Sequence, residues 1–212
     1  MTPNELLKVF RVEVSDLADP PLWSKELIMG YIKDAQEQFC RRTEGIEDGR
    51  SFKIKVEPGK EWYSISALIL KLRKATITAS GGKINIVNSE RADIEGVRFD
   101  GRTGPVNSIV VGIEKHAVRA WPVPSVAMDI ELSVFRLPKD FSDGGDLEVD
   151  SQHARGLLLW VKHLAYSVQD SEVFDRYKAD YYESKFEEYC AQAKREQSRA
   201  RREVGAVIYG GL

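Results

Sequence analysis

Cysteine is scarce: 212 residues hold two, Cys40 and Cys190. Two thiols so far apart, each inside a helical pattern, exclude a disulfide framework and read as small buried hydrophobes. Histidine is almost as rare. His153 and His163 share one helical stretch at a separation that does not match the i, i+4 spacing through which two imidazoles hold one ion, and His116 stands apart. No run approaches the roughly 20 apolar residues of a bilayer span. The opening MTPNELLKVFRVEVSD sets acids among its apolar residues, so no signal peptide is expected and the chain is expected to stay in the cytosol where it is made. Net charge is lacking too. Lys plus Arg at 31 against Asp plus Glu at 33 leaves −2, no global field to draw the chain onto nucleic acid or an anionic membrane.

Catalytic phrases are also missing. The sequence has no G-x-x-x-x-G-K-[ST], no G-x-S-x-G and no G-x-G-x-x-G, and the double glycines at 81–82, 144–145 and 210–211 read as turns or terminus. The acids Glu187-Glu188 and Asp140, Asp143 and Asp146 read as solvated surface, because nothing places them in a pocket. No catalytic residue, metal or cofactor is expected.

What is present is a soluble globular composition, 42% hydrophobic and 30% charged, patterned as helices, then strands, then helices. Leu6, Leu7, Phe10 and Val14 make a short amphipathic helix over 4–14. Asp19-Pro20-Pro21 breaks it. Ser24 is a good N-cap for a second helix, 24–42, with Trp23 placed to staple onto Ile28. From Ser51 the period switches to two, and about six strands with short turns fill 51–137. Residues 88–105 read as a long irregular excursion. After Asp143-Gly144-Gly145-Asp146 helices return at 151–168, capped by Asp150 or Ser151, and at 172–203. The fold class expected is α+β: an α-helical bundle, 1–50 with 138–203, carrying an inserted antiparallel β unit, 51–137.

The long helix has two apolar faces in succession. Val173, Phe174, Tyr177 and Tyr181 fall on one, and Tyr182, Phe186, Tyr189, Cys190 and Ala193 on another rotated by about a third of a turn. Such a helix either kinks or packs one face on something outside its own domain; Tyr182, Phe186 and Tyr189 are assigned to subunit packing. Its end, KREQSRARRE, holds five basic and two acidic residues. That run suits a solvated helix terminus, and it suits contact with an acidic surface or with phosphates. Beyond it VGAVIYGGL has no charged side chain. A tail of Val204, Val207, Ile208, Tyr209 and Leu212 either folds onto its own core or docks on another subunit, with Arg199, Arg201 and Arg202 leading into the same portal or neighbour interface.

With these residues in view, the chain resembles the head–tail adaptor proteins of tailed bacteriophages. The phrase PLWSKELIMGYIKDAQEQFCRR is similar to a family phrase L-W-S-D-E-E-L-x-x-Y-L-N-E-A-Q, with Lys25 where an acid is usual. Gly104-Pro105 precedes a strand, Pro122-x-Pro124 punctuates the next connection, and Arg136-Leu137-Pro138 closes the β unit. Leu158, Lys162 and Tyr166 then mark one helix, and a Tyr/Phe helix ends in arginines. The resemblance implies a virion structural protein at the neck, present in host cytoplasm during assembly. It implies binding to the portal protein and to tail or nozzle proteins, and a dodecameric ring of self copies through which genome DNA passes without specific binding. The alternative is a nucleic-acid-binding or other protein-interaction module that uses the basic helix end.

Overall fold

The computed structural model describes residues 1–94, 100–140, 145–169 and 174–202, the side chains of 94, 201 and 202 excepted. The fold is α+β, and the chain divides into two compact units: Met1–Gly45 with Pro138–Leu212, and Ile46–Leu137.

The first unit is helical. α1 (Pro3–Glu13) opens with a capping box: the Thr2 hydroxyl accepts from the Glu5 amide, and the Glu5 carboxylate accepts from the Thr2 amide. It buries Leu6, Leu7 and Phe10. α2 (Lys25–Thr43) starts at the expected cap, where the Ser24 hydroxyl accepts from the Leu27 amide, and its buried stripe includes Ile28, Ile32, Ala35 and Phe39. Trp23 reaches beyond a local staple. Its ring meets Phe10 and Tyr166 edge-on, and its Nε1 donates to the Ala165 carbonyl at 3.1 Å. Cys40 and Cys190 are both buried and not joined in a disulfide.

The second unit is a sheet of seven strands, ordered β1 (Ile46–Val56), β9 (Met128–Arg136), β3 (Ile69–Ile77), β4 (Lys83–Asn88), β6 (Ser108–Val111), β7 (Ala117–Trp121) and β2 (Trp62–Ser64), curled into a half-barrel. Inward residues from successive strands, among them Ile54, Ala75, Ile84, Ile109, Val118, Ile130 and Leu132, fill its core. Pairing is antiparallel except between β4 and β6. Parallel neighbours need a long crossover, and here it is the segment expected to be irregular. That stretch contains the short helix α3 (Ser89–Ile94) and the two-residue strand β5 (Thr103–Gly104), which pairs in parallel with β8 (Val123–Pro124).

β1 starts five residues earlier than the alternation at Ser51 suggests, because a bulge separates the pairs Asp48↔Val134 and Phe52↔Leu132. The Asp48 carboxylate holds that bulge by accepting from the amides of Arg50 and Ser51, and it receives Nε of Arg136 at 2.8 Å. Burial opposes ionisation there, but these donors win and hold the carboxyl well below the usual range.

Back in the helical unit, Asp150 is the cap of the returning helices. Its carboxylate accepts from the Gln152 amide ahead of a short 3₁₀ turn, Ser151–His153, and then α4 (Ala154–Ser167). The last helix, α5 (Arg176–Arg202), begins at 176 rather than 172, because Asp175 caps it by accepting from the Lys178 amide. The predicted break Gln169-Asp170-Ser171 lies mostly outside the described residues, as does Val173. No helix among the described residues is long and apolar enough to cross a membrane.

Candidate functional site

Among the described residues the titratable side chains do not gather into a reactive site. His116 sits in a turn with φ +58°, His153 is buried in the helical unit, and His163 donates from Nδ1 to the Ala179 carbonyl at 3.0 Å. Among the described residues no cluster of His, Cys, Asp or Glu has the makings of a metal site. The paired acids are engaged with cations: Glu187 with Arg42, Glu188 with Lys185, Asp140 with Lys33 and Asp146 with the amino terminus. Asp143 lies outside the described residues. Burial pushes the Cys190 thiol up to about 12, too high for a thiolate nucleophile at neutral pH. A hollow of about 650 Å³ in the half-barrel has an apolar wall that includes Ile69, Leu72, Ile86 and Val118, with Lys71 and Glu114 beside it.

The surfaces are more informative. α5 turns one side to its own unit. Phe186 is fully buried, its ring tilted against Trp160 at a centroid distance of 5.0 Å, with the Arg42 guanidinium over both rings. Tyr182 stacks flat on Tyr166 at 6.0 Å. Tyr189 lies against Gly156, and its hydroxyl pairs with His153 Nδ1 at 2.9 Å. Tyr182, Phe186 and Tyr189 thus all make contacts inside the helical unit. The other side is bare: Phe174, just ahead of the helix, and Tyr177 and Tyr181 on it are 48%, 92% and 57% exposed.

A second bare patch was not foreseen. Val12, Leu17 and Leu22, all exposed, stand on the end of α1 and the loop into α2. That loop is built around Asp16, whose fully buried carboxylate accepts from Arg11 Nη1 at 2.6 Å and from the Leu22 amide at 2.7 Å. Arg11 also donates to the Trp23 carbonyl. The one sequence signal was an unpaired leucine, Leu17, among the acids and prolines of a break.

At the far end of α5, Lys194, Arg195 and Arg199 are exposed. The backbone of Arg201 and Arg202 completes the helix, and Val204, Val207, Ile208, Tyr209 and Leu212 lie outside the described residues.

Compared with known families, the chain matches the SU10 adaptor protein family over residues 1–207, which spans both units. The chain belongs to the SU10 adaptor family. Its role is that of a phage head–tail adaptor, a structural protein of the virion and not a member of an enzyme family. No curated protein matches the adaptor. The family phrases fall at structural joints: PLWSKEL carries the entry to α2, and Arg136-Leu137 closes the last strand of the half-barrel.

Proposed function

We propose that this adaptor assembles as a homo-oligomeric ring below the portal, around the DNA channel, and presents a platform to the tail or nozzle proteins. The observation that carries the reading is the family match across residues 1–207. A net charge of −2 supports a lumen in which DNA slides, because dense phosphate contacts would hold it.

The tail 204–212 is the portal anchor in this reading. Burying Val207, Ile208, Tyr209 and Leu212 contributes about 1.5–3 kcal/mol for each large side chain fully buried. Ordering any segment on a partner costs roughly 1–2 kcal/mol per residue. The two nearly cancel for one copy, so docking depends on many copies held at high effective concentration. Arg199, Arg201 and Arg202 steer the tail to an acidic portal surface, an attraction that weakens with salt. Tyr182, Phe186 and Tyr189, expected at a subunit contact, hold α5 on its own unit instead, and the anchor follows that helix in the sequence.

Deleting 204–212 tests this. The truncated chain is expected to keep its melting temperature and lose assembly onto purified portal. A deletion that unfolds the monomer assigns the tail to its own core, and a truncated chain that still docks removes it as the anchor. Duplex DNA affinity at physiological salt is expected to be negligible; a sub-micromolar Kd would favour the nucleic-acid module instead.

A further inference from the structure

The apolar core of the half-barrel is left half-covered in one place. Ile65, Ile69, Leu72, Ile86 and Val111 pack on the core cluster yet are only partly buried, and all five line the hollow of about 650 Å³. Binding sites that enclose apolar groups have about this size, roughly 300–1,000 Å³. Leu70 belongs to the same lining and is 38% exposed, and Ile113, between the lining residues Gly112 and Glu114, is 43% exposed.

The hollow is a fork between two strands. β3 and β4 leave their shared turn as an antiparallel pair, joined at Thr76↔Lys83 and Ala75↔Ile84, and no further pair follows among the described residues. Beyond that point 69–74 keeps β9 on one side and 85–88 keeps β6, while the edges that β3 and β4 turn toward each other carry no strand. The lining agrees: it takes Ile69, Leu70, Lys71 and Leu72 in succession from β3, and Ile86, Val87 and Asn88 from β4. Successive side chains of a strand point to opposite faces of a sheet. A hollow that touches both kinds therefore opens between the strands rather than on one face. Open strand edges are templates for another extended chain. Main-chain hydrogen bonds supply the affinity of such an addition, and pockets for alternate side chains supply its specificity. The open part of β4 suits a strand of about four or five residues, at about 3.3 Å each.

Charge narrows the occupant. The charged residues of the lining are Lys71, Arg91 and Glu114, one cation in excess of His116 taken as neutral, and exposed Lys74 follows on β3. The chain's own tail 204–212 is led in by Arg199, Arg201 and Arg202 and is a poor match for that rim, whereas a segment bearing carboxylates fits it. A head–tail adaptor also has to meet two neighbours. The portal takes the basic end of α5 and its tail in the reading above, which leaves the half-barrel for the tail side.

We propose that the fork between β3 and β4 receives an extended segment of the tail protein, apolar at alternate positions and flanked by carboxylates, added to the sheet as a strand. The inference rests on the platform reading above and names the residues with which the platform holds its partner.

Hydrogen exchange on full-length adaptor assembled with purified portal, with and without the purified tail, tests it. Exchange over 69–74 and 85–88 is expected to slow by about tenfold or more when the tail attaches. A photo-crosslinking residue in place of Leu70 is expected to join the tail protein. A second variant, Leu70→Asp with Lys71→Glu, alters exposed side chains only. It is expected to melt and to join the portal as the parent does, while tail attachment weakens by about tenfold or more. If position 70 crosslinks to portal, to a second copy or to nothing, if exchange at the fork is unchanged in tailed particles, or if the double variant takes the tail normally, the proposal is overturned while the platform reading stands. If the tail never attaches to the assembled adaptor, the platform reading falls and takes the proposal with it.

Discussion

Gly156 on α4 offers a sharp test of how α5 is seated. A methyl group added at this position would overlap the Cε1, Cδ1 and Cζ atoms of the Tyr189 ring. The ring has no easy retreat, because its hydroxyl pairs with His153 at 2.9 Å and Phe39 packs nearby with ring centroids 6.3 Å apart. Helix propensity alone favours alanine over glycine by about 1 kcal/mol. Displacing Tyr189 forfeits about 1.5–3 kcal/mol of ring burial and about 1 kcal/mol of hydrogen bond. The steric loss wins, and Gly156→Ala is expected to destabilise the helical unit by about 2 kcal/mol. For a chain of this size that lowers Tm by roughly 4–8 °C, read by calorimetry. In a Tyr189→Ala background the ring is gone, and the same substitution should become stabilising by about 1 kcal/mol. A Gly156→Ala chain as stable as the parent would refute the seating of Tyr189 on α4.

Asp16→Ala is expected to cost about 3–5 kcal/mol, since it strands the Arg11 guanidinium and the Leu22 amide; hydrogen exchange over residues 14–23 should rise with it. His153 gives the helical unit an acid limit. Burial holds its folded-state value below 6.5, against the pull of Asp150 and Glu196, so the unfolded chain takes the proton first. Its contribution is complete above pH 6.5 and is lost as pH falls through the lowered folded value, so the Tm of the unit should drop on acidification and His153→Gln should flatten that drop. Asp48 acts in the half-barrel at lower pH. Its depressed carboxyl contributes stability above its ordinary value of 3.8 and loses it as pH falls further, a dependence that Asp48→Asn should remove.

The helices were legible in the sequence because local signals agreed with the hydrophobic period. Ser24 precedes the stripe Ile28, Ile32, Ala35 and Phe39, and the structure uses both. The first residues of β1 were not legible. Asp48 holds a bulge there, and a bulge breaks alternation in the one-letter pattern while preserving pairing in space. The parallel contact of β4 with β6 was hidden for a related reason: its crossover is polar and its elements are too short to show a period. On α5 the two apolar faces were visible, but which face looks inward depends on Tyr166, Trp160 and Gly156 of α4, all distant in sequence. The aliphatic patch was the least legible part, because Val12, Leu17 and Leu22 come together only through the buried carboxylate of Asp16.

The central claim is that the adaptor builds a ring on the portal. Electron microscopy of the purified protein, alone and mixed with portal rings, measures it directly. The expected result is an added closed layer of density beneath the portal, coaxial with its channel, that disappears when residues 204–212 are deleted. Portal particles without that layer, or scattered single copies on the portal rim, would contradict the claim.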